Sequence, residues 1–313
     1  MRAGWTGGDN VTLCEMPLPL PRSLMSTRTV IGLILLTLAP AEVLSAQTGA
    51  TIDPTALVRR AIQHRMDADQ NHRPLRFLLR KTGEQHDTTK DIIETKDGDV
   101  ARLVAINGSP LSAQANQAEL DRLNTLANHP EIQEHRHKRE QKDADRVNRM
   151  MRLLPDAFLY RFEDMVPCAG GQCYRLSFSP NPRFAPPDEE ANIFRGMAGE
   201  VWIDQAQERL TRLDAQLISD VDFGWGVLGR LDKGGTILLE QADIGGRDWE
   251  VTGMKVNLTG KALMVKSLSF QITEETSHFS PVPPDLDYRK AIQLLENSEP
   301  PGATDSAGKS QQP

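Results

Sequence analysis

Residues 212–223 read RLDAQLISDVDF. Leu213, Ala215, Leu217, Val221 and Phe223 point one way, and Arg212, Asp214, Gln216, Asp220 and Asp222 point the other. Successive side chains of a strand alternate between faces, so a period of two means one buried face and one wet face. That is the pattern of an antiparallel sheet.

The same signal recurs on both sides of this stretch. Upstream, Leu75, Phe77 and Leu79 alternate with Arg76, Leu78 and Arg80. Strands are expected at 88–95 and 100–106, with Lys96-Asp97-Gly98-Asp99 as a hairpin turn between them. Downstream, strands are expected at 158–164, 172–179, 199–204, 208–222, 236–243, 249–258 and 262–275. In 249–258 the phase slips at Gly253-Met254, which marks a β-bulge.

Two stretches break the β pattern. Asp53 is a natural helix N-cap and Pro54 a natural first residue, followed by Ala56, Leu57, Ala61 and Ile62 near helical spacing. Residues 112–154 carry a helical insertion in two parts, interrupted at His129-Pro130. Its second part is long and highly charged, with few apolar residues before Val147. About ten or eleven strands with so few crossover helices make an α+β fold. The expectation is a strongly curved antiparallel sheet, an unclosed β-barrel, with the N-terminal helix and the insertion as its cover or lid.

Bulk properties bound the function. The chain has 313 residues, 39% of them hydrophobic, with a net charge of -7 and no basic stripe, which argues against nucleic acid. Its mean hydropathy is -0.44, that of a globular chain without a membrane span. Met25 to Ala46 reads as an export signal: Arg28, the apolar run Val30 to Leu38 (VIGLILLTL), Pro40, then small residues for cleavage. Residues 1–24 sit ahead of that signal as a mis-called extension. The first 46 residues hold three basic side chains (Arg2, Arg22, Arg28) and three acidic ones (Asp9, Glu15, Glu42), so removing them leaves the net charge unchanged. Residues 47–299 form one domain, and the tail at 300–313 is disordered by composition. The expected location is the periplasm, or outside the cell.

Two cysteines remain after Cys14, and both flank a tight-turn sequence. Cys168 and Cys173 enclose Ala-Gly-Gly-Gln, and in an oxidising compartment they are expected to staple a hairpin. A metal half-site is the alternative, but no second cysteine pair exists. His135 and His137 are two apart and do not share a helix face, and the basic residues around them repel a cation. The acids at Asp188-Glu189-Glu190, Asp220/Asp222 and Glu274-Glu275 read as wet surface. There is no nucleophile elbow, P-loop or zinc-protease motif, so the expectation is a protein that is not an enzyme, with no cofactor and no metal. Trp202, Trp225 and Trp249 fall in the C-terminal sheet, as core first and as cavity lining second.

A family resemblance sits on the same strands. Gly199-Glu200-Val201-Trp202-Ile203-Asp204, then Arg209-Leu210 and Arg212-Leu213-Asp214-Ala215, resembles a stretch of bacterial exported proteins described as outer-membrane lipoprotein-sorting or LolA-like. Asp220 to Gly226, Lys233-Gly234-Gly235, Glu240-Gln241, and Trp249 with Thr252 continue it, as do Arg102 to Ala105 and Asn107 to Ser112 upstream. The resemblance covers about 75–280 and is specific for a subgroup of unknown function. It implies an unclosed antiparallel barrel whose apolar concave face holds acyl chains. The arginine with which the carriers latch lid to barrel has no assignable counterpart here. The expected function is therefore binding or carrying a lipid or lipoprotein acyl chain. Cavity candidates are Phe77, Leu213, Leu217, Trp225, Val256 and Phe270. The rival is an envelope protein-interaction or structural module that docks a partner through the helix at 131–152.

Overall fold

The structure is a computed structural model that describes residues 52–83, 86–223, 229–245, 248–262 and 266–297. The export signal, the extension before it, Trp225 and the tail at 300–313 lie outside these residues. Helix α1 runs Pro54–Asp69, and the Asp53 side chain accepts from the Ala56 N–H at 3.0 Å, as its capping sequence requires.

Thirteen strands follow: β1 Leu75–Thr82, β2 Thr88–Ile93, β3 Val100–Ile106, β4 Ser109–Pro110, β5 Phe158–Cys168, β6 Gly171–Pro180, β7 Met197–Asp204, β8 Leu210–Leu217, β9 Val221–Phe223, β10 Gly229–Leu231, β11 Thr236–Asp243, β12 Trp249–Ala262 and β13 Lys266–Pro281. Eleven of them form one path in the order β4-β3-β2-β1-β13-β12-β11-β8-β7-β6-β5, and the short β9–β10 pair branches off β12. The neighbours are antiparallel. The two ends of the path, β4 and β5, do not pair with each other, so the sheet is not closed into a barrel.

One expected strand is really two. The segment read as 208–222 breaks after Leu217, because its hydrogen bonds change partner there. The Leu217 N–H donates to the Gly235 carbonyl at 2.8 Å, and the Ile218 N–H to the Gly196 carbonyl at 2.7 Å. The expected bulge is present: the register shifts between Glu240 and Gln241, opposite Gly253 and Val251, leaving Thr252 without a partner in the ladder. Gly199 marks a close pass between β7 and β8. A Cβ there would stand 2.0 Å from the Asp214 carbonyl oxygen, so a side chain cannot enter.

The insertion is two helices, α2 Ala113–Asn128 and α3 Pro130–Ala157, separated at His129 as its sequence suggested. They do different things. Helix α2 packs with α4 (Tyr288–Asn297) on Ile93 and Val100, through Leu123, Leu126, Ala291, Ile292 and Leu295. Helix α3 links the two edges of the sheet. Near its start, Gln133 is buried and donates to the Asp97 carbonyl in the β2–β3 turn, and Glu140 accepts from the Asp99 N–H. Near its end, Met150, Leu153 and Leu154 join the main core beside β5 and β6. Its 28 residues span roughly 42 Å at 1.5 Å each.

The main core lies where α1, the end of α3 and a short 3-10 helix (Glu190–Gly196) cover one face of β5 to β8. Leu57, Val58 and Ala61 from α1 meet Phe158, Leu176, Phe178, Val201, Ala215 and Leu217 there. Neither the 3-10 helix nor α4 was expected. For α4 a signal exists: Asp287 as a cap, then Ala291, Ile292 and Leu295 at helical spacing.

Candidate apolar binding face

Register decides which residues share a face, because residues paired across an antiparallel ladder point to the same side. Leu213 pairs with Val201 and with Leu239, and Leu239 with Met254. Ala215 pairs with Ile237, Ile237 with Val256, and Val256 with Ile272. Leu258 pairs with Phe270. One apolar strip therefore runs across β8, β11, β12 and β13, continuous with the core face of β5 to β7.

The cover thins along this strip. Leu217 is 1% exposed and belongs to the main core. Farther across, Leu213, Ile237, Leu239, Leu258, Phe270 and Ile272 are only half-buried, while Met254 and Val256 between them are buried. Beyond β13 the row meets charge. Glu274 pairs with Met254 on one side and with Lys81 on the other, and the Lys81 ammonium lies 3.9 Å from its carboxylate. The strip thus has an apolar middle and an ion pair at one border.

Five of the six cavity candidates lie on this one face. Leu213, Leu217, Val256 and Phe270 share the strip or the core beside it. Phe77 sits on the same face in a separate small cluster with Leu75 and Ile92, stacked on Phe279 at 5.6 Å between ring centroids. Trp225 is outside the described residues. Ile237, Leu239, Leu258 and Ile272 were not among the cavity candidates. The first two lie in TILLEQAD, where apolar residues run consecutively and alternation is hard to phase.

The opposite face is polar, as residues 212–223 suggested. Arg212 donates to Glu240 at 2.6 Å and to Asp214 at 3.1 Å, and Arg175 donates to Asp164 at 2.7 Å. Trp202 lies on this face beneath the Arg212 guanidinium, 5.5 Å from the ring centroid, so it lines no apolar cavity. Trp249 is buried and donates from its indole to Gln207.

An open hollow of about 430 Å³ lies between α1 and the last turns of α3, lined by Arg59, Ile62, Gln63, Met66, Arg152 and Pro155 among others. None of the five described cavity candidates lines it. A buried polar cluster occupies the C-terminal part of α1. Arg65 pairs with Asp69 at 3.0 Å, and burial pushes the Arg65 guanidinium down and the Asp69 carboxyl up. Arg209, lowered chiefly by burial, donates to the His64 carbonyl and ties the β7–β8 turn to the helix.

The acids noted in the sequence have structural partners. Arg149 bridges to Asp188 and Glu190, and Arg230 to Asp220 and Asp222. Glu275 lies 3.7 Å from Arg80. His129 bonds Glu131 and His137 bonds Gln141. Among the described residues, the one group of His, Cys, Asp or Glu close enough to share a metal is Cys168, Cys173 and Asp204. Cys168 and Cys173 are joined in a disulfide, which staples the β5–β6 hairpin and fits an exported protein. No helix of the described residues is long and apolar enough to cross a membrane.

No family model matches the sequence, and no curated relative matches it. Two solved structures are similar over much of its length. A DUF1329 family protein from Desulfovibrio piger is 10% identical with a TM-score of 0.27, covering 74% of this chain and 94% of that one. A LolA superfamily protein from Nitrosomonas europaea is 8% identical with a TM-score of 0.26, covering the same 74% and 94%.

Proposed function

We propose that the protein binds the acyl chain of a lipid or lipoprotein along the strip across β8, β11, β12 and β13, without chemistry on it, and that it does so in the periplasm. The observation that carries this reading is the half-buried row of Ile237, Leu239, Leu258, Phe270 and Ile272. A contiguous apolar surface left half in water gains about 25 cal/mol for each Å² that a ligand covers. Each methylene of an acyl chain laid there adds about 0.8 kcal/mol. The ion pair of Lys81 and Glu274 at the border suits the polar end of such a molecule. The same cargo is what the sequence resemblance implies, and the disulfide supports an oxidising compartment.

The test is native mass spectrometry of protein purified from the periplasm, followed by lipid extraction. We expect an acyl-chain mass on the wild type that is lost in Phe270→Asp, with the circular dichroism spectrum unchanged. Phe270 is only partly buried and belongs to none of the core clusters, so this variant leaves the core intact. A clean apo mass that persists after incubation with native lipids and lipoproteins refutes the reading. The alternative, an interaction module, then gains from the exposed middle of α3.

A further inference from the structure

The turn that joins β5 to β6 brings three metal-ligating side chains together. Cys173 on β6 pairs with Asp204 on β7, so the two side chains leave the ladder on the same side. Cys168, at the end of β5, meets Cys173 across the turn at 169–172. The two sulfurs and an Asp204 carboxylate oxygen all lie within 4.8 Å of one another. Two cysteines alone are half a metal site. Strand β7 supplies a third ligand that the sequence does not place beside them.

Asp204 is buried at 1% exposure, and its fold role uses one oxygen. Oδ1 accepts from the Gln207 N–H at 2.7 Å and shapes the β7–β8 turn. Oδ2 accepts no hydrogen bond among the described residues. It faces the β5–β6 turn, 2.9 Å from where a Cβ on Gly170 would stand. A disulfide has no hydrogen to offer this oxygen. A buried carboxylate oxygen without a donor is costly, and a cation beside it removes that cost.

Charge and geometry then define the cation. With the bridge reduced and both sulfurs ionised, three negative charges would crowd one buried spot. A divalent cation held by two thiolates and the carboxylate leaves a single negative charge, the same that Asp204 carries alone. Two thiolates suffice for a soft monovalent ion, whereas an oxygen beside two sulfurs suits borderline Zn²⁺. Around a tetrahedral ion at about 2.3 Å, two sulfurs stand about 3.8 Å apart, a spacing that rotation of Cys168 on its exposed turn provides. The hairpin has other support than the bridge. Ten residue pairs join β5 to β6, and a link between residues five apart constrains the unfolded chain only modestly.

We propose that Cys168, Cys173 and Asp204 form a redox-gated site for a zinc-class cation, closed as the disulfide and opened by an exported dithiol. A thiolate of the dithiol attacks the Cys168 sulfur, and the electron pair of the S–S bond leaves on Cys173. The second thiol of the reductant displaces Cys168, and the reductant departs as its own disulfide. Two electrons and two protons have then passed to the protein, whose cysteines are both thiols. Zn²⁺ entering the site releases those two protons as the sulfurs coordinate.

The test uses the full exported protein, reduced with dithiothreitol, desalted and equilibrated with Zn²⁺ under anaerobic conditions. Elemental analysis gives the bound zinc and calorimetry the affinity. The oxidised wild type is expected to hold none. The reduced wild type is expected to hold one ion per chain, with proton release, and to keep its sheet by circular dichroism. Co²⁺ in place of Zn²⁺ is expected to show the sulfur-to-metal charge-transfer band of a thiolate site. Asp204→Asn keeps both thiols and an oxygen for the Gln207 N–H, and is expected to bind zinc at least about tenfold more weakly. Equal zinc on the oxidised protein, none on the reduced protein, undiminished affinity in Asp204→Asn, or loss of the sheet on reduction overturns the proposal.

Discussion

Leu217 and Phe270 share a face of the sheet but not an environment. Leu217 is buried in the main core with Met197 and Ala215, whereas Phe270 is only partly buried opposite Leu258 and belongs to no core cluster. Leu217→Ala is therefore expected to cost about 2–5 kcal/mol in urea unfolding, the range for a truncated core leucine. Phe270→Ala is expected to cost less, because its ring is only partly buried and lies outside the core clusters. Equal costs would mean that the strip is core throughout, and the proposed binding face would fail with it. Leu217 and Phe270 look alike in the sequence, as apolar members of alternating strands. What separates them is membership of the main core, whose helical cover comes from residues 54–69, 150–157 and 190–196.

The elements hold by devices at their ends and edges. Helix α4 starts on Asp287, whose side chain accepts from the Lys290 N–H at 2.9 Å. That hydrogen bond to the backbone, more than the Lys290 charge, holds the Asp287 carboxyl below its usual range. A folded pKa below the unfolded one adds stability at higher pH. The contribution is complete above the ordinary carboxyl value, near pH 4, and falls away as pH drops through the lowered folded value. Asp287→Ala is expected to cost about 1 kcal/mol at neutral pH. That difference should shrink below about pH 4, as read from unfolding midpoints across pH. A cost that is the same at low pH would remove the charged cap from the account. The β3 edge uses another device, side chains of α2 bonded to strand backbone at Leu103 and Ala101, and it gives α2 a structural role at that edge.

At the scale of the whole molecule, α3 spans an opening that the strands leave. The sheet ends at β4 and β5, and α3 is fixed near one end by the β2–β3 turn and near the other by the core beside β5. Its middle, from Gln141 to Asp145, is mostly exposed. Gln133→Ala removes the buried donor to Asp97 and Asp99. It is expected to raise hydrogen exchange through the first half of α3, while protection in β6 to β8 stays as in the wild type. A uniform rise across the sheet would instead make the clamp part of one global unit.

Much of the architecture was legible in the chain. Alternation in residues such as 212–217 gave the strands and their wet face, Asp53-Pro54 gave the first helix, and Cys168 and Cys173 gave the staple. These are local properties: a strand's period, a helix cap and a tight turn depend on neighbours in sequence. Alternation says that a strand has two unlike faces, but not what covers the apolar one. Whether Leu217 is core and Phe270 half-open depends on where α1 and α3 settle, through contacts between residues more than a hundred positions apart. The order of the strands, the place of β5 at the end of that order and the crossing of α3 arise in the same way. They follow from the joint packing of the whole chain, and the tertiary structure alone decided them.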